Sequence, residues 1–123
     1  MATDAGADIF VRIHADGSDN SSVNGISTLA PRRDNPYVGH LYEDSRALSE
    51  LILKSMVDYT GARNRGVSEV NNMSGINWAT MPVTIVEMGF MSNPNEDKLM
   101  QTQEYQMKLV MGMADGIDAY FER

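Results

Sequence analysis

At 123 residues the chain has room for one domain built on one core. Its 17 Asp and Glu against 10 Lys and Arg leave a net charge of −7, and no basic run exceeds Arg32-Arg33, which argues against nucleic acid as a partner. With no cysteine in the sequence, disulfides, thiolate metal sites and a cysteine nucleophile are excluded.

No apolar run approaches the roughly 20 residues that cross a bilayer, so no membrane span is expected. Met1-Ala2-Thr3-Asp4-Ala5-Gly6 has neither the charged nor the apolar region of a signal peptide. Work outside the cell would therefore call for sequence upstream.

Asp8-Ile9-Phe10-Val11-Arg12-Ile13-His14-Ala15 alternates, with Ile9, Val11 and Ile13 on one face and Phe10, Arg12 and His14 on the other. This predicts a strand ending at His14. The polar stretch from Asp16 to Gly25 has no periodicity and reads as a loop long enough to carry function. A histidine between such a strand and such a loop is either a ligand or a neutral core histidine bonded to backbone.

Ile26-Ser27-Thr28-Leu29 is a short strand candidate, and the two prolines of Pro31 to Pro36 make a stiff charged turn. From Val38 to Tyr59, Leu41, Leu48, Leu51, Ile52, Ser55, Met56 and Tyr59 recur at helical spacing, with Gly61 at the C-cap position. Arg65 to Asn72 reads as a weak strand or extended loop. Trp78 reads as a loop anchor packed on the core in preference to a stacking platform.

Pro82-Val83-Thr84-Ile85-Val86-Glu87-Met88-Gly89 is a β-branched run that starts after a proline and breaks at a glycine, which predicts a buried strand with Glu87 at its end. A carboxylate is costly to bury alone, so Glu87 is salt-bridged, bound to metal, or catalytic. Asn93 as N-cap, Pro94 at the first helical position and Glu96 and Asp97 in the first turn start a short helix. From Thr102 onward, Tyr105, Leu109, Val110, Met113, Ile117, Tyr120 and Phe121 form the apolar stripe of a second long helix. Gly112 and Gly116 read as a tolerated cost more than as close packing, and the 10 methionines as mostly core-filling. Strands alternating with long helices predict an α/β fold, a mixed and mostly parallel sheet flanked by helices, in a single domain over residues 1–123. Glu87 then lies at the sheet edge where ligands bind.

Ala7-Asp8-Ile9-Phe10-Val11-Arg12-Ile13-His14-Ala15-Asp16, taken with Val86-Glu87-Met88-Gly89-Phe90-Met91-Ser92-Asn93, resembles the two C-terminal motifs of the zinc-dependent N-acetylmuramoyl-L-alanine amidases of bacterial cell-wall turnover. These are the LytC/AmiA-type, or amidase type 3, enzymes, and the likeness runs from Ala5 to Phe121. The resemblance implies that His14 is a zinc ligand and Glu87 the catalytic carboxylate, acting as general base and then acid. The implied substrate is peptidoglycan, cut between the muramoyl lactyl group and L-alanine. Two further zinc ligands, a histidine in a Gly-His-Gly motif and a downstream glutamate, are implied in an N-terminal portion. The chain is thus expected to be an amidase domain truncated at its N-terminus, without those strands and helices.

His40, Asp16, Asp19, Glu43 and Glu69 are read as solvated surface, because no spacing brings them to His14. An uncovered sheet is expected to expose apolar surface and an edge, and so to favour self-association. The implied location is the cell wall or periplasm, or outside the cell, and the net charge of −7 assigns wall affinity to a separate module. Two rivals stay open. One is an inactive amidase fragment that contacts the wall or a partner without cutting it, marked by the missing Gly-His-Gly motif. The other is a generic α/β ligand-binding domain, for which Glu87→Ala would leave wall lysis unchanged.

Overall fold

The computed structural model describes residues 6–71, 77 and 79–123. Trp78 and residues 72–76 lie outside them. Strand β1 (Phe10–Asp16) is followed by β2 (Ile26–Pro31), helix α1 (Tyr42–Thr60), β3 (Asn64–Val70), β4 (Val83–Phe90), and helices α2 (Pro94–Met100) and α3 (Gln103–Glu122). The strand order is β1-β4-β2-β3. β1 runs parallel to β4 and β2 parallel to β3, while β2 and β4 are antiparallel. The mixed, mostly parallel sheet read from the sequence is therefore the one formed, with α1 as the crossover that a parallel pair requires between β2 and β3.

Three boundaries move. β1 continues past His14 to Asp16, with a register irregularity between the two. β4 continues through Gly89 to Phe90, so Glu87 is inside the strand and three residues from its end. The strand passes through the glycine where it was expected to break: φ at Gly89 is +153°, and an added Cβ would come 3.3 Å from the Glu96 carboxylate, so the place suits a glycine. A 3-10 turn over Gly39–Leu41 precedes α1, which starts at Tyr42. The weak segment after Gly61 is a full strand, β3, because it pairs along β2.

Leu48, Ile52 and Met56 of α1 are fully buried against Ile26 and Val86 of the sheet and Tyr105, Leu109, Met113 and Tyr120 of α3. Each such side chain contributes about 1.5–3 kcal/mol by leaving water. Between α1 and the sheet runs a seam of small hydroxyls. Ser49 Oγ donates to Ser45 O at 2.8 Å and lies 2.7 Å from Thr84 Oγ1, Thr28 Oγ1 donates to Ser49 O, and the N–H of Val83 donates to Ser45 Oγ at 3.0 Å. These buried polar groups satisfy one another, as burial demands. The opposite sheet face carries Val38, Ala79, Met81 and Val83, packed with Phe10, Leu29 and Ile85.

The two helix glycines correct their sequence reading. A Cβ on Gly112 would lie 2.6 Å from Met56 Cα, and one on Gly116 would lie 2.5 Å from Ile52 Cα. They are where α3 presses on the α1 backbone. The methionines divide: Met56, Met81 and Met113 are buried, whereas Met91, Met107 and Met111 are exposed.

Candidate active site

Alternation along β4 puts Glu87 on the face of Val83 and Ile85, away from α1 and α3. On β1, His14 shares the face of Phe10. The parallel register sets His14 directly beside Glu87, and the side chains meet, with His14 Nδ1 2.9 Å from Glu87 Oε2. The His14 side chain is 50% exposed and that of Glu87 14%. The exposure removes the core-histidine alternative. The ion-pair alternative for Glu87 acquires a partner, and that partner is the proposed ligand itself.

Asp16 joins them, contrary to its reading as solvated surface. One ligand atom from each of His14, Asp16 and Glu87 falls within 4.8 Å of the others. Because β1 extends two residues past His14, strand alternation returns Asp16 to the histidine's face. Ending the strand at His14 hid this. The Asp16 backbone is held as well, since its carbonyl accepts from the N–H of Met91 at 2.8 Å. An imidazole nitrogen with carboxylate oxygens is a donor set that suits a divalent ion such as zinc.

The other sequence candidates stay outside the group. Glu43 faces Arg33 at 3.6 Å, and Glu69 accepts from Arg46 Nη1 at 2.8 Å and from the Tyr42 hydroxyl at 2.7 Å. His40 and Asp19 are exposed.

The loop from Gly17 to Gly25 is fastened to the start of α2. Ser18 N–H donates to Ser92 Oγ at 3.0 Å, Asn93 Nδ2 donates to Ser21 O at 3.1 Å, and Gly25 N–H donates to Glu96 Oε2 at 3.0 Å. Asn93 also caps α2, its Oδ1 accepting from the N–H groups of Asn95 and Glu96, as the sequence predicts. The role of Glu96 had no sequence signal beyond an acid in a first helical turn.

A mixed α/β sheet that carries a histidine and two carboxylates toward the carboxyl ends of neighbouring parallel strands defines the class. Within that class, the chain belongs to the N-acetylmuramoyl-L-alanine amidase family, whose sequence pattern matches residues 1–119. It is 35% identical over 119 residues to an uncharacterized cell wall amidase of Bacillus anthracis, covering 94% of this chain and 21% of the relative. Against the N-acetylmuramoyl-L-alanine amidase LytC of Bacillus subtilis it is 30% identical over 122 residues, covering 98% and 23%. Among solved structures it resembles the catalytic domain of the amidase CwlV from Bacillus (Paenibacillus) polymyxa, with a TM-score of 0.83, 30% identity, and 98% and 62% of the two chains covered. The CwlD amidase of Clostridioides difficile, solved in complex with the GerS lipoprotein, gives a TM-score of 0.85 at 27% identity, with 96% and 56% covered. The chain thus spans about a fifth of those two curated relatives and 56–62% of those solved chains.

Proposed function

We propose that this chain carries the acid–base carboxylate and a metal-ligand histidine of a peptidoglycan amidase that hydrolyses the bond between N-acetylmuramoyl and L-alanine at the cell wall. The observation that carries the reading is the His14–Glu87 contact of 2.9 Å across β1 and β4, in a chain of this family. The wall-amidase relatives support the location and the substrate class.

His14 would hold zinc, with Asp16 as a further donor. When bound, zinc supplies a Lewis acid for the amide carbonyl and lowers the pKa of water. Glu87, acceptor-only when ionised, takes a proton from the attacking water at a carboxylate oxygen. The water oxygen adds to the lactyl carbonyl carbon, the C–N bond breaks, and Glu87 returns the proton to the departing L-alanine nitrogen. The products are a lactyl carboxylate and a free amine. His14 steadies Glu87 through the Nδ1 contact, and the low exposure of Glu87 keeps bulk water from competing for its proton.

The test is zinc content of the purified chain together with release of free amino groups from peptidoglycan. His14→Ala is expected to abolish stoichiometric zinc. Glu87→Gln is expected to retain zinc and to lower amine release by about 10²–10⁴-fold, the usual contribution of a general acid–base. A catalytic zinc takes three protein ligands, and with Glu87 kept as the base the group leaves His14 and Asp16 among the described residues. A second reading is a wall-binding module that does not cut. Retention on peptidoglycan without amine release would select it.

A further inference from the structure

Glu96 is a buried carboxylate, 6% exposed, that the chemistry above does not use. It is the third residue of α2, after Pro94 and Asn95. A glutamate at that position ordinarily turns back to the N–H of the cap residue. Here the N–H of the cap, Asn93, donates to Phe90 O at 3.1 Å instead, and Glu96 reaches out of the helix. Its Oε1 accepts from the N–H of Phe90 at 2.9 Å and its Oε2 from the N–H of Gly25 at 3.0 Å.

One of those amides belongs to β4, the strand that carries Glu87, and the other to the segment that leads into its neighbour β2. Phe90 closes β4, three residues past Glu87, and pairs with Asp16 of β1. Gly25 leads into β2, where Ser27 pairs with Glu87. The carboxylate also lies against the β4 backbone, since a Cβ on Gly89 would sit 3.3 Å from Glu96 Oε1. We propose that Glu96 is a positioning residue: by bridging the N–H groups of Gly25 and Phe90 it ties the end of β4, where Phe90 pairs with Asp16 of β1, to the start of β2, and so sets the contact between His14 and Glu87. Only the catalytic consequence rests on the proposed amidase reading.

A carboxylate is what this place needs. It is acceptor-only, and both oxygens face donors. A glutamine in its place would turn an NH2 toward one of the two N–H groups and leave that buried donor unsatisfied. An aspartate, one methylene shorter, would lose at least one of the two bonds.

The test uses the full chain labelled with 15N, comparing wild type, Glu96→Gln and, as a destabilised control, Leu109→Ala in the α1–α3 core. Two readouts are followed in folded samples: amide exchange at Gly25 and Phe90, and the ring 15N shifts that report a hydrogen-bonded His14 Nδ1. Glu96→Gln is expected to speed exchange at one or both amides at least tenfold and to move the His14 ring shifts toward those of an unbonded imidazole. Leu109→Ala is expected to lower Tm and leave the His14 pattern in place. An unchanged His14 pattern in Glu96→Gln, or an equal change in Leu109→Ala, would overturn the proposal. Should Glu96→Gln fail to fold, Glu96→Asp takes its place, and loss of amide protection with a wild-type His14 pattern would count against the role. If the wild type neither binds zinc nor releases amines, the amidase reading fails while the His14 readout still judges Glu96, because that readout follows the hydrogen bond between His14 and Glu87 and not turnover.

Discussion

Asp16 sits two residues beyond His14 on the same face of β1, and its carboxylate completes the group formed with Glu87. Replacing it with asparagine keeps its size and an oxygen that accepts the Gly17 N–H, a bond of 3.0 Å, and removes the charge that a cation would meet. On the proposed metal reading, Asp16→Asn is expected to weaken zinc binding at least about tenfold, since loss of even a group that only supports a ligand does as much, with Tm little changed; titration against a chromophoric chelator reads the affinity. Tyr105 tests burial on the other face. Its hydroxyl is raised above the ordinary tyrosine value of 10.0, first by burial and then by the charge of Glu96. A group with a raised folded-state pKa contributes stability below its unfolded value and loses it as pH climbs through the folded one. The Tm of wild type is therefore expected to fall above about pH 10, and Tyr105→Phe to fall less over that window, as followed by thermal melts. His14 and Glu87 were legible from alternation and from a carboxylate closing an apolar run. Asp16 was not, because the strand was ended two residues early.

At the scale of elements, α1 and α3 are held at short range by Gly112 and Gly116, whose missing Cβ atoms let Met56 and Ile52 backbone approach. A methyl group at either place would have to displace main chain, so Gly116→Ala is expected to cost about 1–3 kcal/mol by overpacking, measured by urea denaturation. The helical spacing of the glycines was visible in the sequence, but only the partner helix turns them into a packing seam. The capping of α2 is the opposite case. Asn93 and Pro94 carry a local signal that needs no partner, and Asn93→Ala is expected to cost about 1 kcal/mol, with an added loss from the Ser21 carbonyl that Asn93 also binds. The outer faces of α3 departed from the predicted stripe: Val110 is 52% and Phe121 57% exposed.

At the scale of the whole molecule, β1 forms one border of the sheet among the described strands, and Ile13, 51% exposed, opens onto a groove lined by Met88, Met100, Val110 and Met113. An apolar groove beside a border strand is a site of association in water. The chain is expected to self-associate as concentration rises in sedimentation runs, and Val110→Glu to shift it toward monomer; a wild type that stays monomeric throughout would count against this. The described strands share one sheet, and residues 1–123 are accordingly expected to unfold in a single transition by heat and by urea.

By itself, the sequence determined what local physics encodes. Period-two alternation marked β1, three-and-four spacing marked α1 and α3, and cap chemistry placed Asn93, Pro94 and Gly61, the last with φ +69° and its N–H on Val57 O. The two strand-end motifs were sufficient to indicate the family. Tertiary structure alone decided how those pieces meet. It made β2 antiparallel to β4 and extended β1 so that Asp16 joined His14. It also pressed the glycine seam of α3 onto α1 and sent the Glu96 carboxylate across to Gly25 and Phe90. Each of these joins residues far apart in the chain, where no periodicity or cap can announce a partner, and the energy comes from burial and from polar groups that must find one another once water has left.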